Sequence, residues 1–168
     1  TPNPETLKEI AAVKSRFERI CEAAAKNQVR LFIDAEETWI QPVLDAWTFE
    51  MMCKHNTQRA IIYNTVQMYR HDRLEFLKAQ LELAKAQGVI YGVKLVRGAY
   101  MEKERERAQK MGYPSPIQPD KASTDRDYNE ALRFMVTHSD HYALCAGSHN
   151  EESSSQCPNV LRRSQGGL

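Results

Sequence analysis

The sequence predicts an α/β fold of about four βα units, either a partial (β/α)₈ barrel or a small open parallel sheet. Short β-rich runs begin near residues 31, 60, 89 and 142, and each gap has room for one helix. The segments between them carry apolar residues at helical spacing. Strand–helix alternation calls for parallel strands joined by right-handed crossovers. The near-continuous apolar strands fit a sheet covered on both faces. At 168 residues the chain falls short of the roughly 250 of a complete barrel. Four units make half a barrel or a small open sheet.

The elements follow in order. Leu7, Ile10, Phe17, Ile20 and Ala24 recur at helical spacing with Lys and Glu between them. Residues 29–33 form a β-rich run ending at Asp34. Trp39, Ile40, Val43, Leu44, Trp47 and Met51 restore the 3.6 period, and Pro42 suits a first helical turn. Residues 60–63 read as the second strand. Leu74, Leu77, Leu81 and Ala84 mark a helix stopped by Gly88. Residues 89–96 are the third strand, followed by a charged helix over 102–110 that Gly112 closes. A proline-rich loop, 113–119, leads to Ser123-Thr124-Asp125, an N-cap cluster. Tyr128, Ala131, Leu132 and Met135 stripe the next helix, and 142–146 is the fourth strand. From Glu151 onward no period is sustained. The organisation expected is a partial barrel domain over 1–152 and a divergent, disordered tail over 153–168.

Composition excludes several classes. With 42% hydrophobic and 27% charged residues, 7 Gly and 7 Pro, the chain is neither collagen-like nor wholly disordered. A formal charge of +1 advertises no nucleic acid partner. No apolar run reaches the roughly 18 residues of a membrane span, and no signal-peptide core stands at the start. The four cysteines form no C-x-x-C pair, which suits a reduced compartment. The first residue is Thr1, as expected for a piece of a longer chain.

Polar residues gather where the strands end: Asp34, Glu36 and Glu37; Asn64 and Gln67; Lys94 with Arg97-Gly98-Ala99-Tyr100; and Gly147-Ser148-His149-Asn150. The carboxyl ends of parallel strands are where ligands sit, because loops and helix N-termini converge there. Each cluster also has a plainer reading. Asp34, Glu36 and Glu37 suit the dipole of the following helix. Lys94, inside an apolar strand, must find an anion or reach out to water. Arg97-Gly98 is either a turn or a place where backbone N–H groups approach a ligand. His138 and His141 lack a third ligand at metal spacing, so no metal is expected. There is no G-x-G-x-x-G and no P-loop.

The blocks LFIDAEETWIQP (31–42), IIYNTVQMYRHDRLEFLK (61–78), VKLVRGAYMEKERERAQKMGYPSPI (93–117), TDRDYN (124–129) and AGSHNEE (146–152) resemble the proline dehydrogenase family, in its monofunctional form. KLVRGAY is the most specific of them. The resemblance implies an FAD-dependent (βα)₈ barrel that oxidises L-proline to Δ¹-pyrroline-5-carboxylate by hydride transfer to the flavin, with quinone as acceptor. The four strands would be the fourth to seventh of that barrel. By the same implication, Asp34 and Lys94 are catalytic. Ala35, Asn64, Arg97, Gly98, Ala99, Ser148 and His149 hold the cofactor, and Tyr100 meets the substrate.

The resemblance also implies absences. The first three strands, the eighth strand and the last helix with its Arg-Arg-x-x-Glu-Asn carboxylate clamp have no counterpart. Arg162-Arg163 is followed by Ser-Gln-Gly instead of that pattern. The expectation is a fragment inactive by itself. Hydroxyproline dehydrogenase and a non-catalytic truncated binding module are the alternatives. A bacterial parent would sit in the cytoplasm or peripherally at the inner membrane, a eukaryotic one in mitochondria.

Overall fold

A computed structural model describes residues 3–147. Helix α1 (Pro4–Lys26) begins at Asn3, whose side chain accepts from Thr6 N at 2.8 Å. Strand β1 (Leu31–Ile33), helix α2 (Gln41–His55), strand β2 (Ile62–Gln67), helix α3 (Arg73–Gln87) and strand β3 (Tyr91–Val96) follow. Helices α4 (Met101–Met111) and α5 (Lys121–Thr137) then lead to strand β4 (Tyr142–Ala146). Pro42 lies in the first turn of α2. Gly88 caps α3 in the left-handed region, φ 63°, as its position predicts.

The strands are parallel and ordered β1-β2-β3-β4. A sheet that grows in one direction through crossovers of one hand carries its helices on one face. The core agrees. Ile62, Val66, Tyr91, Val93, Leu95 and Tyr142 pack with Met51 and Met52 of α2, Leu77 and Leu81 of α3, and Leu132 and Met135 of α5. Phe17 of α1 rests on Trp47 at 5.9 Å between ring centroids. The other parity (Phe32, Lys94, Val96, Ala143, Cys145) contributes nothing to that cluster, and Phe32 is 39% exposed. The expectation of a sheet covered on both faces holds for β2, where Tyr63, Thr65 and Gln67 are buried as well as Ile62, Asn64 and Val66, and is corrected among the described residues where Phe32, Lys94, Val96, Ala143 and Cys145 stay partly or fully exposed. Alternate strand residues meet two different environments, and only one of them is helical.

Two boundaries also differ from the sequence reading. Strand β2 runs on through Gln67, so Asn64 lies inside the strand and not after it. The N-cap of α5 is Asp120, whose carboxylate accepts from Ser123 N at 2.7 Å. Asp120 is extended (φ −148°, ψ 172°), the geometry that places its side chain over the third helical N–H. Ser123, Thr124 and Asp125 fall within the first turns.

Two glycines give a test of these packing claims. A Cβ at Gly92 would lie 2.3 Å from the Ile62 carbonyl oxygen, whereas at Gly88 it would meet nothing within 4 Å. Gly88→Ala should cost about 1 kcal/mol, from its left-handed backbone alone. Gly92→Ala should cost clearly more, up to about 3 kcal/mol, because backbone must shift. Equal melting temperatures for the two variants would contradict this account.

Candidate functional site

The side chains at the carboxyl ends of β1, β2 and β3 meet in one row. Thr65 pairs in register with Lys94, which pairs with Cys145, so these residues share a face of the sheet. Asp34 continues that row directly after β1. Lys94 Nζ lies 2.8 Å from both Asp34 carboxylate oxygens, and Thr65 Oγ1 donates to Asp34 Oδ1 at 2.5 Å. Lys94 has thus found the anion that a charged residue in an apolar strand requires. The pair is half open to water, 29% exposed at Lys94 and 58% at Asp34. Desolvation pushes the Asp34 pKa up, but the hydrogen bonds from Lys94 and Thr65 and the Lys94 charge outweigh it. The carboxyl is held below its ordinary range.

Beside this pair is an open concavity of about 520 Å³ lined by Asp34, Ala35, Glu36, Glu37, Ile40, Leu44 and Tyr100. Its acidic residues are individually matched. Glu37 pairs with Lys103 Nζ at 2.5 Å, and Glu36 Oε2 accepts from Ala99 N at 3.1 Å. Helix α4 braces the same turn from above: Glu104, 1% exposed, accepts from Thr38 N at 3.0 Å and from Thr38 Oγ1 at 2.5 Å.

The residues singled out from the sequence fare unequally. Asp34, Ala35, Lys94 and Tyr100 come together. Asn64 does not, which corrects its assignment to the cofactor. It has the parity of the helix face, is fully buried, and donates to Asp45 Oδ1 at 2.7 Å and to Tyr91 Oη at 3.4 Å. Arg97 also has helix-face parity. Its guanidinium meets Asp125 of α5 at 2.6 Å and lies 4.2 Å from the Tyr128 ring centroid. Gly98 adopts φ 118°, and a Cβ there would fall 2.3 Å from the Tyr69 ring. The close approach it permits is therefore to Tyr69, whose hydroxyl donates to the Glu36 carbonyl at 3.0 Å. Ser148 and His149, the tail over 153–168 and Arg162-Arg163 lie outside the described residues.

The sequence alone gives Thr65 no role and places Gln67 only beside Asn64. Both have the parity of Lys94. Gln67 is fully buried, donates from Nε2 to the Ala35 carbonyl and to Gln41 Oε1, and leaves its own Oε1 without a partner. The signal was available in the alternation Tyr63, Thr65, Gln67 once the second strand is extended to include it.

The Asp34 geometry makes a pH prediction. Because its pKa is lowered on folding, its contribution is present above the unfolded value, about 3.9. That contribution fades as pH falls through the lower folded value. Thr65→Val should move the Asp34 carboxyl titration upward, followed by ¹³C NMR. An unmoved titration would detach Thr65 from the site.

Comparison with known proteins places the chain in a family. The family model described as proline dehydrogenase matches residues 2–166. The chain is 40% identical over 148 residues to proline dehydrogenase 1, mitochondrial, of Drosophila melanogaster, covering 82% of this chain and 22% of that protein. It is 41% identical over 142 residues to hydroxyproline dehydrogenase of Xenopus laevis, covering 82% and 30%. It therefore spans less than a third of the length of either relative. Its fold matches the crystal structure of proline utilization A from Bdellovibrio bacteriovorus inactivated by N-propargylglycine, with TM-score 0.82 and 21% identity over 92% of this chain and 16% of that one. With four parallel strands in sequential order joined by helices and a family match along nearly its whole length, the chain belongs to the proline dehydrogenase family.

Proposed function

We propose that this chain forms part of the catalytic barrel of an FAD-dependent enzyme that oxidises L-proline or its hydroxylated form at the ring carbon beside the nitrogen. The observation that carries this reading is the Asp34–Lys94 pair on the face opposite the helices, beside a concavity that includes Tyr100. Relatives named for proline and for hydroxyproline match at 40% and 41% identity, so both substrates belong to the proposal.

The residues fit a flavin. Among the described residues this face carries the cation Lys94 and, buried beneath it, the unpartnered acceptor Gln67 Oε1, for a ring system rich in polar edge atoms. When bound, FAD accepts the hydride and carries the electronic change. The chain's own residues hold and polarise. Asp34, kept ionised by Lys94 and oriented by Thr65, accepts a hydrogen bond from the substrate amine and fixes the ring's approach. Lys94 supplies positive charge against electron density arriving on the same face. Tyr100 walls the concavity on the side of the substrate. Lys94, Ala35 and Gln67 would hold the cofactor edge. By the family resemblance Ser148 and His149 belong to the same role, and quinone is the electron acceptor. Relatives named mitochondrial support that compartment for a eukaryotic parent.

The test is flavin reduction in an enzyme that contains this segment. Lys94→Met should slow reduction by proline about tenfold or more, and Asp34→Ala should impair turnover and substrate binding with the melting temperature little changed. Normal kinetics in both variants, with stability alone altered, would return the pair to a structural role.

A further inference from the structure

Buried polar side chains connect the helix layer to the candidate site, and their hydrogen bonds have one polarity. Asp45 and Arg73, 8% and 2% exposed, form a two-pronged ion pair: Nη1 to Oδ2 at 2.8 Å and Nη2 to Oδ1 at 2.9 Å. Asp45 Oδ1 also accepts from Gln41 Nε2 at 2.9 Å. A carboxylate only accepts, so Gln41 must turn its NH₂ toward Asp45. That leaves Gln41 Oε1 to face Gln67 Nε2 at 3.0 Å. Gln67 in turn commits its NH₂ to Gln41 and to the Ala35 carbonyl. Its Oε1 is left buried with no partner among the described residues.

We propose that Asp45 and Arg73, acting through Gln41, are positioning residues that oblige Gln67 to present an acceptor, and not a donor, to the ligand of the Asp34–Lys94 face. A free carboxamide interchanges its oxygen and nitrogen by a half-turn. Here the negative end of the relay removes that choice two residues away. Stability alone is a weak reason to bury the ion pair, because desolvating two charges offsets most of their attraction. An apolar substitute could fill the volume but could not orient an amide. The unpartnered Oε1 carries the cost of lost hydration, which a ligand N–H or O–H at that point relieves. The ligand chemistry selected is therefore a hydrogen-bond donor. The ligand-facing half of this inference rests on the function proposed above; the relay rests only on the geometry.

The test uses the whole chain with ¹⁵N in its glutamine side chains, the Gln67 resonances being assigned through Gln67→Glu. Gln41→Met removes the middle of the relay without adding charge. Asp45→Asn keeps the volume but lets the side chain donate, so that Gln41 can turn over. In each variant the Gln67 NH₂ protons should exchange about three- to tenfold faster, the equivalent of one hydrogen bond. Backbone amides of the strands should keep their protection, which separates loss of the relay from loss of fold. Unchanged Gln67 exchange in Gln41→Met would overturn the relay, even if Asp45→Asn fails to fold. A second arm measures FAD affinity in an enzyme that contains this segment. A roughly tenfold loss in Gln41→Met supports the ligand-facing acceptor, and equal affinity in the two proteins overturns it. A wild-type enzyme of that kind that takes up no FAD tells against the flavin reading, while the exchange data still decide the relay.

Discussion

Each strand residue of this protein belongs to one of two environments, and the direction in which the sheet grows fixes which. Strands added in chain order, each through a crossover of the same hand, put the helices on a single face. One parity is then mostly apolar, because it is sealed beneath α2, α3 and α5. The opposite parity can carry charge. The site follows from this constraint: Lys94 and Thr65 lie on the free parity, and Asp34 meets them just beyond β1.

The two ion pairs that flank the sheet show what each environment asks of a charge. Asp45–Arg73, on the helix side, is nearly dry, and its charges are tolerable only because the geometry is two-pronged and amides add to the carboxylate's bonds. Asp34–Lys94 is half solvated. Water screens it, so it contributes little to stability and remains available to exchange partners. A pair that can be broken at low cost suits a binding surface. A pair that cannot suits a framework. Gln67, the last residue of β2, joins the two, touching Gln41 on one side and the Ala35 turn on the other.

Helix α4 and the turn after β1 add a further layer to the same end of the sheet. Glu104 holds Thr38, Lys103 holds Glu37, and the Arg107 guanidinium lies 5.5 Å from the Trp39 ring centroid. The charged face of α4, which as sequence reads as a solvated surface, is in part an anchoring edge. Tyr69 serves the loop after β3 in a similar way. Its ring takes the space that Gly98 vacates, and its burial, with nearby Glu36 and Glu104, pushes its pKa up and keeps the hydroxyl a neutral donor.

The sequence by itself determined the fold class, the order of the elements and the family. Those features are written in local periodicity, in Pro and Gly at helix ends, and in blocks such as KLVRGAY. It also singled out Asp34, Lys94 and Tyr100 as candidates, since polar residues at strand ends stand out against apolar runs. Only the tertiary structure decided which way Asn64, Arg97 and Gln67 face. A strand read as ending four residues early, at Tyr63 and not at Gln67, hides the alternation that puts Asn64 and Gln67 on opposite faces. Glu104 and Thr38, 66 positions apart, could be joined only by packing. Side-chain parity is a local property, but the face to which each parity belongs is set by hydrogen bonds between strands about 30 residues apart in the chain, as Thr65 and Lys94 are.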